Sequence, residues 1–309
     1  MFRWTTTAFL LTTTVAAGSG LPPGPDLYTG ETPEVVPTEL PDYTGKGAVD
    51  VILQYRIAGI SETEKPAVIE ELLPILKIRA AGLAKKSKVE RGSALGNVGV
   101  SLIGCDDPGR ARDVLESRAV LEFRAVAESP TLTGVLAEEG SGGIGYTVDE
   151  RGYVRFDETD WSAFRSNVSG IELPDGYTIA YTQPVTGKVG ALLLTDDGMV
   201  VDEVKDAVFV DDPVGGPMVT FDLDLAGRQE FAGLTARHVG GELAILFDGY
   251  IMYKGQVAER IEGLANIENV TTREEAEDIA LLLRSGSLPA RLELLKWFIN
   301  GVETNISSK

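Results

Sequence analysis

The sequence holds one cysteine and one histidine in 309 residues. A lone Cys105 excludes an internal disulfide and any multi-cysteine metal site. Placed after Gly104 and just before a helix start, it reads as a small buried filler rather than a nucleophile. Any Ser-His-Asp or Cys-His device would have to use His238. That residue sits near the end of a predicted helix, where the helix dipole favours a cation, and this accounts for it without catalysis. Cations are also scarce: 28 Lys and Arg stand against 47 Asp and Glu, a net charge of −19. Nucleic acid and anionic membrane surfaces both demand cationic contacts, so neither is expected as a partner. Long apolar runs are missing too. The stretch from Trp4 to Val15 is about a dozen residues, short of the roughly 20 that span a bilayer. Leu292 to Ile299 is amphiphilic but interrupted by Glu293 and Lys296.

Several patterns look like chemistry and dissolve on inspection. Gly140-Ser-Gly-Gly-Ile-Gly145 has the spacing of a dinucleotide loop, but Glu138 and Glu139 precede it and a β-type pattern follows, whereas the mechanism needs a strand before and a helix after. Asp222-Leu-Asp224 begins like a calcium loop, yet Gly233 stands where the bidentate Glu belongs. The pairs Asp106-Asp107, Asp196-Asp197 and Asp211-Asp212 are explained by turns and helix caps. Asn167, Asn269 and Asn305 head glycosylation sequons of the kind expected by chance. No cofactor or metal is therefore expected, and the chain reads as a binding module rather than an enzyme.

What is present is organised. Met1 to Ala17 has the form of an export signal, with Val15-Ala16-Ala17 as the cleavage site, or of a short anchor. Residues 18–46 are rich in proline and read as a flexible linker. From residue 47 the pattern turns to strands and helices. Val49, Val51, Leu53, Tyr55 and Ile57 alternate as a half-buried strand, and Glu64 to Leu83 has helical spacing in which Pro74 demands a kink or a restart. Val89 and Asn97–Ile103 give two strands. Asp107 followed by Pro108 opens a second helix, and Ala119–Val126 alternates with Leu121, Phe123 and Ala125 inward and Glu122 and Arg124 outward. This predicts an α+β protein with a ferredoxin-like β-α-β-β-α-β base over 47–127. A β-rich insert is expected over 128–217, a head and closing segment over 218–295, and a tail over 296–309. In the head, Asp248-Gly249 between two strands is a hairpin signature. Thr272 and Glu275 open a last helix, which Gly286 ends.

Two stretches resemble the large periplasmic domain of SecD, the accessory subunit of the protein-export channel. One is Gly96-Asn-Val-Gly-Val-Ser-Leu-Ile-Gly104 with Cys105-Asp-Asp-Pro-Gly-Arg and Ala119 to Val126. The other runs from Val219-Thr-Phe-Asp-Leu through Val239-Gly-Gly-Glu-Leu to Glu274–Pro289. The resemblance implies a ferredoxin-like base with a head that contacts translocating or unfolded polypeptide, with SecF and the SecYEG translocon as neighbours, at the periplasmic face of the cytoplasmic membrane. On this reading the proton-carrying membrane helices are absent, so the chain alone does not couple to proton flow. Two functional classes stay open: an exported SecD-like protein that assists export, or a stand-alone envelope protein reusing the fold for another partner. Tyr250 and Tyr253, on the predicted hairpin, are the candidate polypeptide contacts. Tyr253-Lys-Gly-Gln256 departs from the small-residue-Pro step usual in the family.

Overall fold

The computed structural model describes residues 47–139, 145–157, 173–183, 187–201, 203–213, 216–262, 264–268, 270 and 272–304. The export signal, the linker, most of the Gly140–Gly145 loop and all three sequon asparagines lie outside them. The described chain divides into two compact units, a base of 47–119 and 274–304 and an insert of 120–273. It is of the α+β class.

The base begins with β1 (Val49–Ala58), in which Val51, Leu53, Tyr55 and Ile57 are buried and their neighbours exposed, as the alternation predicts. Helix α1 (Lys65–Leu83) has Pro66 in its first turn, where the missing N–H costs nothing, and runs on continuously through Pro74, which is exposed. It buries Ile69, Leu72, Leu76, Arg79 and Ala80. Strands β2 (Ala84–Arg91) and β3 (Asn97–Cys105) form a hairpin. Helix α2 (Pro108–Glu116) starts as its sequence dictates: the Asp107 carboxylate accepts the Arg110 N–H at 3.0 Å. The Cys105 thiol is buried and donates to the Asp107 carbonyl at 3.3 Å; burial pushes its pKa up, away from thiolate chemistry.

The insert opens with β4 (Leu121–Val126) and α3 (Leu132–Glu139), then the small hairpin β5 (Thr147–Val148) and β6 (Val154–Asp157). Next come β7 (Tyr177–Tyr181), β8 (Lys188–Val201), β9 (Val204–Asp212) and β10 (Gly216–Leu223). Helix α4 (Gly227–Arg237), the hairpin β11 (Glu242–Phe247) and β12 (Tyr250–Gln256), and β13 (Leu264–Ile267) complete it. The β11–β12 turn uses positive φ at Asp248 (49°) and Gly249 (80°), the geometry the Asp-Gly pair predicts. Its strands close into a ring. β4 pairs with β11, β11 with β12, β12 touches β7 through Tyr250 and Tyr181, β7 pairs with β8, and the far half of β8 returns to β4. Only β8, 14 residues long, can serve so many neighbours; its near half also pairs with β6. A second sheet, in the order β13-β10-β9, and α4 supply the aromatic contacts of β4. Phe123 lies 4.5 Å from Phe231 and 6.3 Å from Phe221, centroid to centroid.

The chain then returns to the base with α5 (Arg273–Ser285), β14 (Arg291–Ile299) and β15 (Val302–Thr304). The base sheet has the order β15-β14-β1-β3-β2, with all pairs antiparallel. Two expectations are corrected here. The strand expected to complete the base, Leu121–Val126, pairs instead with β11 and β8 of the insert, and β14 takes the place beside β1. Residues expected to form a tail from 296 onward are the end of β14, where Trp297 is fully buried, and β15. Local alternation identifies a strand but not its neighbour, and both misassignments have that cause. Buried Arg79 ties the base together. It donates to Ser285 Oγ (2.9 Å), to the Val114 carbonyl (3.0 Å), to the Gly286 carbonyl (2.9 Å) and to the Ser117 carbonyl. No described helix is long and apolar enough to cross a membrane.

Candidate functional site

The inserted unit contains a cleft of about 450 Å³. Its floor is Val126, Leu132, Val154, Leu192 and Leu193, and its rim carries Glu128, Thr131, Thr133, Glu242 and Lys254. Sequence and geometry explain how these meet. β4 and β8 slip in register between Arg124 and Val126, which brings Val126 opposite Leu194. Leu192 lies across from Ala180 on β7. Lys254 stands opposite Ala244 on the β11–β12 hairpin, pairs with Glu242, and holds its ammonium 5.7 Å from the Tyr153 ring centre. The Arg155 guanidinium lies 4.8 Å from the same ring. Burial pushes the Tyr153 phenol up to about 12, so it stays protonated at any physiological pH. Gly241 leaves room for a carboxylate: a Cβ there would come within 2.7 Å of Glu128 Oε1.

Tyr250 and Tyr253 are not part of this cleft. An extra residue in β12, at the register shift between Ile245 and Leu246, sets Tyr253 opposite Ile245 and Tyr250 opposite Phe247. Ile245 and Phe247 share one strand face, so both tyrosines lie on it, while Lys254 and Glu242 belong to the other. The tyrosines are half-buried rather than exposed, and burial raises the Tyr253 phenol above its ordinary range. The Tyr253 ring also covers Gly255, where a Cβ would meet Tyr253 Cε1 at 2.8 Å.

Glu122 and Arg124 were expected to face outward from β4. Glu122 is 2% exposed and opposite Leu246, and Arg124 donates to it at 3.2 Å. The reason is the ring, which buries the second face of β4 as well as the first. Gly198, opposite Arg124, makes room for that side chain: a Cβ would meet Arg124 Cδ at 2.6 Å and collide with the Phe123 carbonyl. His238 caps the end of α4, with Nε2 at 2.8 Å from Asp197. Arg237 donates twice to the same carboxylate, at 3.1 and 2.7 Å, and with His238 holds Asp197 below the usual carboxylate range. Asp222, from the calcium-like run, is held by Lys205 (2.7 Å) and Arg228. These acids tie strands and a helix end together, as ion pairs in a structural role do.

Sequence reasoning missed the cleft. Its residues are scattered from Val126 to Lys254, and the one local sign is the Gly240-Gly241 pair. Comparison with known proteins adds what geometry alone does not. Residues 180–290 match the family described as the SecDF P1 head subdomain. The chain is 29% identical over 247 residues to the protein translocase subunit SecD of Koribacter versatilis, covering 76% of this chain and 41% of that protein. A SecD from Acidaminococcus fermentans is 38% identical over 131 residues, 41% of this chain and 31% of the relative. The Thermus thermophilus SecDF is 28% identical over 254 residues, 81% of this chain and 30% of the relative. The chain thus spans less than half the length of these curated relatives. A solved chain of SecDF, titled a membrane component that enhances protein export, superposes with a TM-score of 0.52 at 23% identity, covering 79% of this chain and 97% of that one. At that identity the likeness concerns the fold. Family match, relatives and fold agree in what the chain is similar to, the periplasmic domain of SecD.

Proposed function

We propose that this protein serves protein export by holding extended, unfolded polypeptide on the outer side of the cytoplasmic membrane, without catalysis, cofactor or metal. The observation that carries this reading is the cleft of about 450 Å³, to which the span matching the SecDF head contributes Leu192, Leu193, Gly240, Gly241, Glu242 and Lys254. Its apolar floor accepts side chains of any sequence. The mixed rim of Glu128, Thr131, Glu242 and Lys254 offers polar contacts to a passing backbone. Weak, sequence-tolerant binding suits a chain in transit, since a tight site would stall it. In this reading SecF and the SecYEG translocon are its neighbours. Tyr250 and Tyr253 form a second candidate surface on the opposite face of the hairpin.

The test is binding of a reduced, carboxymethylated exported protein to the purified chain. Val148 lines the cleft and is 52% exposed, so Val148→Trp narrows it without disturbing the core. The expected result is about tenfold weaker binding for Val148→Trp, equivalent to about 1.4 kcal/mol, and a smaller loss for Tyr250→Ser/Tyr253→Ser. The reverse ranking moves the contact to the tyrosines. Absence of binding by the unaltered protein overturns the reading and favours reuse of the fold for another partner.

A further inference from the structure

Three charged residues line the cleft, and two of them answer each other. The Lys254 ammonium pairs with Glu242, so together they add no net charge to the rim. Glu128 stands apart. It is exposed, and among the described residues it takes part in no hydrogen bond or ion pair. Donors on the rim around it are committed elsewhere. The Gly240 and Gly241 amides go to the Val257 and His238 carbonyls, at 2.8 and 3.0 Å. The Thr131 hydroxyl accepts the Gly134 N–H at 3.2 Å and meets Thr133 Oγ1 at 3.0 Å. Yet the carboxylate stays at the cleft, close enough to Gly241 that a Cβ there would meet Oε1 at 2.7 Å. Glu128 also follows Val126 of the floor by two residues, and the Ala127 N–H between them still bonds to the Leu193 carbonyl at 2.9 Å. Apolar floor and uncompensated carboxylate are thus one two-residue step of extended chain apart, roughly 7 Å.

We propose that Glu128 is the specificity-determining residue of the cleft, and that the preferred client is an extended segment carrying lysine or arginine two positions from an apolar side chain. Residues two apart on an extended client project to the same side, so the apolar one meets the floor while the cation reaches Glu128. An acidic side chain in the same place meets the carboxylate with like charge and is disfavoured. Contacts with the floor are indifferent to sequence; the preference is set at the rim. This rests on the polypeptide-binding reading above and adds to it the chemistry of the client.

The probes are a short peptide repeating Leu-Ser-Lys-Ser and its counterpart repeating Leu-Ser-Glu-Ser, titrated into the full chain at low ionic strength, where exposed charges are least screened. The lysine peptide is expected to bind about fivefold more tightly than the glutamate peptide. Glu128→Gln is expected to cut that ratio to about twofold. Glu71→Gln removes the same charge from an exposed position on α1 of the base and is expected to leave the ratio as it was. A loss of fold weakens both peptides alike, so the ratio reports recognition rather than damage. Val148→Trp is expected to weaken the lysine peptide, which places it in the cleft. Equal affinity for the two peptides, a ratio that Glu128→Gln leaves unchanged or that Glu71→Gln lowers as much, or a lysine peptide indifferent to Val148→Trp overturns the proposal. If in that case Val148→Trp still weakens binding of the unfolded exported protein, the functional reading stands and only the role of Glu128 falls. If the unaltered protein binds no unfolded chain at all, both fall.

Discussion

The base and the insert bury polar groups for different ends. In the base, one cation, Arg79, reaches carbonyls at the ends of two helices, Ser117 after α2 and Gly286 after α5, and so joins two stretches far apart in sequence. In the insert, charges come as neighbours on strands: Glu122 with Arg124 on β4, and Glu242 with Lys254 on the β11–β12 hairpin. The first arrangement fixes where the chain leaves and re-enters a sheet. The second places Glu122 and Arg124 on a covered face of a closed ring, where a small residue such as Gly198 stands opposite a long one. Buried charge in one unit is a tie between segments; in the other it is part of the packing.

Several substitutions sharpen or break that contrast. Phe123→Ala removes the ring that meets both Phe231 and Phe221, and is expected to cost about 4 kcal/mol, confined to the insert. Hydrogen exchange resolved by unit checks this, and a loss spread equally through β1 and β3 contradicts the division into units. Arg79→Leu fits the volume but leaves its carbonyl partners without a donor; about 3 kcal/mol is expected, read as faster exchange in α1, α2 and α5. Gly198→Ala is expected to cost about 1–3 kcal/mol, because the new methyl group meets the Phe123 carbonyl, and thermal unfolding of the insert reports it.

The smallest effects are those of pH, and they run in opposite directions. Asp197 in the insert has its folded pKa depressed, first by Arg237, so it stabilises above its unfolded value of about 3.9 and that contribution fades as pH falls below it. Glu116 in the base has its folded pKa raised by burial, against the pull of Arg112. It therefore weakens the base at neutral pH, and the base gains as pH falls through the raised value toward about 4.3. Asp197→Asn should lower insert stability at pH 7 and flatten its acid dependence. Glu116→Gln should leave the base no weaker at pH 7 and remove the gain on acidification. Unfolding curves between pH 7 and pH 3 decide, and parallel responses in the two variants contradict both assignments.

The sequence made some of this legible and hid the rest for physical reasons. β1, the Asp107 cap, the Asp248-Gly249 turn and α5 follow from local chemistry, because alternation, capping and positive φ act over a few residues. Pairing partners do not. Leu121–Val126 has the alternation of a half-solvated strand, but ring closure covers its charged face as well, so the pattern misleads about both its neighbours and the fate of Glu122. Leu292–Ile299 lacks clean alternation, because β1 and β14 slip in register at Gln54 and Tyr55, and it was not recognised as a strand. Arg79 lies on the buried stripe of α1, and nothing local in the sequence names the carbonyls it reaches. The cleft is assembled from β4, α3, β6, β8 and the β11–β12 hairpin, and no local pattern records such a convergence.

The long return of the chain to the base sets an order of events in time. β1 has β3 as an early neighbour, but its other side pairs with β14, Val51 with Ile299 and Ala58 with Arg291. A polypeptide made from its N-terminus therefore carries a central strand with one raw edge until β14 has formed, and Arg79 waits for Gly286. Closing a loop of that length costs little more entropy than closing a shorter one, but it postpones completion of the base until β14 is in place. Until β14 is in place the base is thus an unfinished sheet, and the open edge of β1 needs protection of its own.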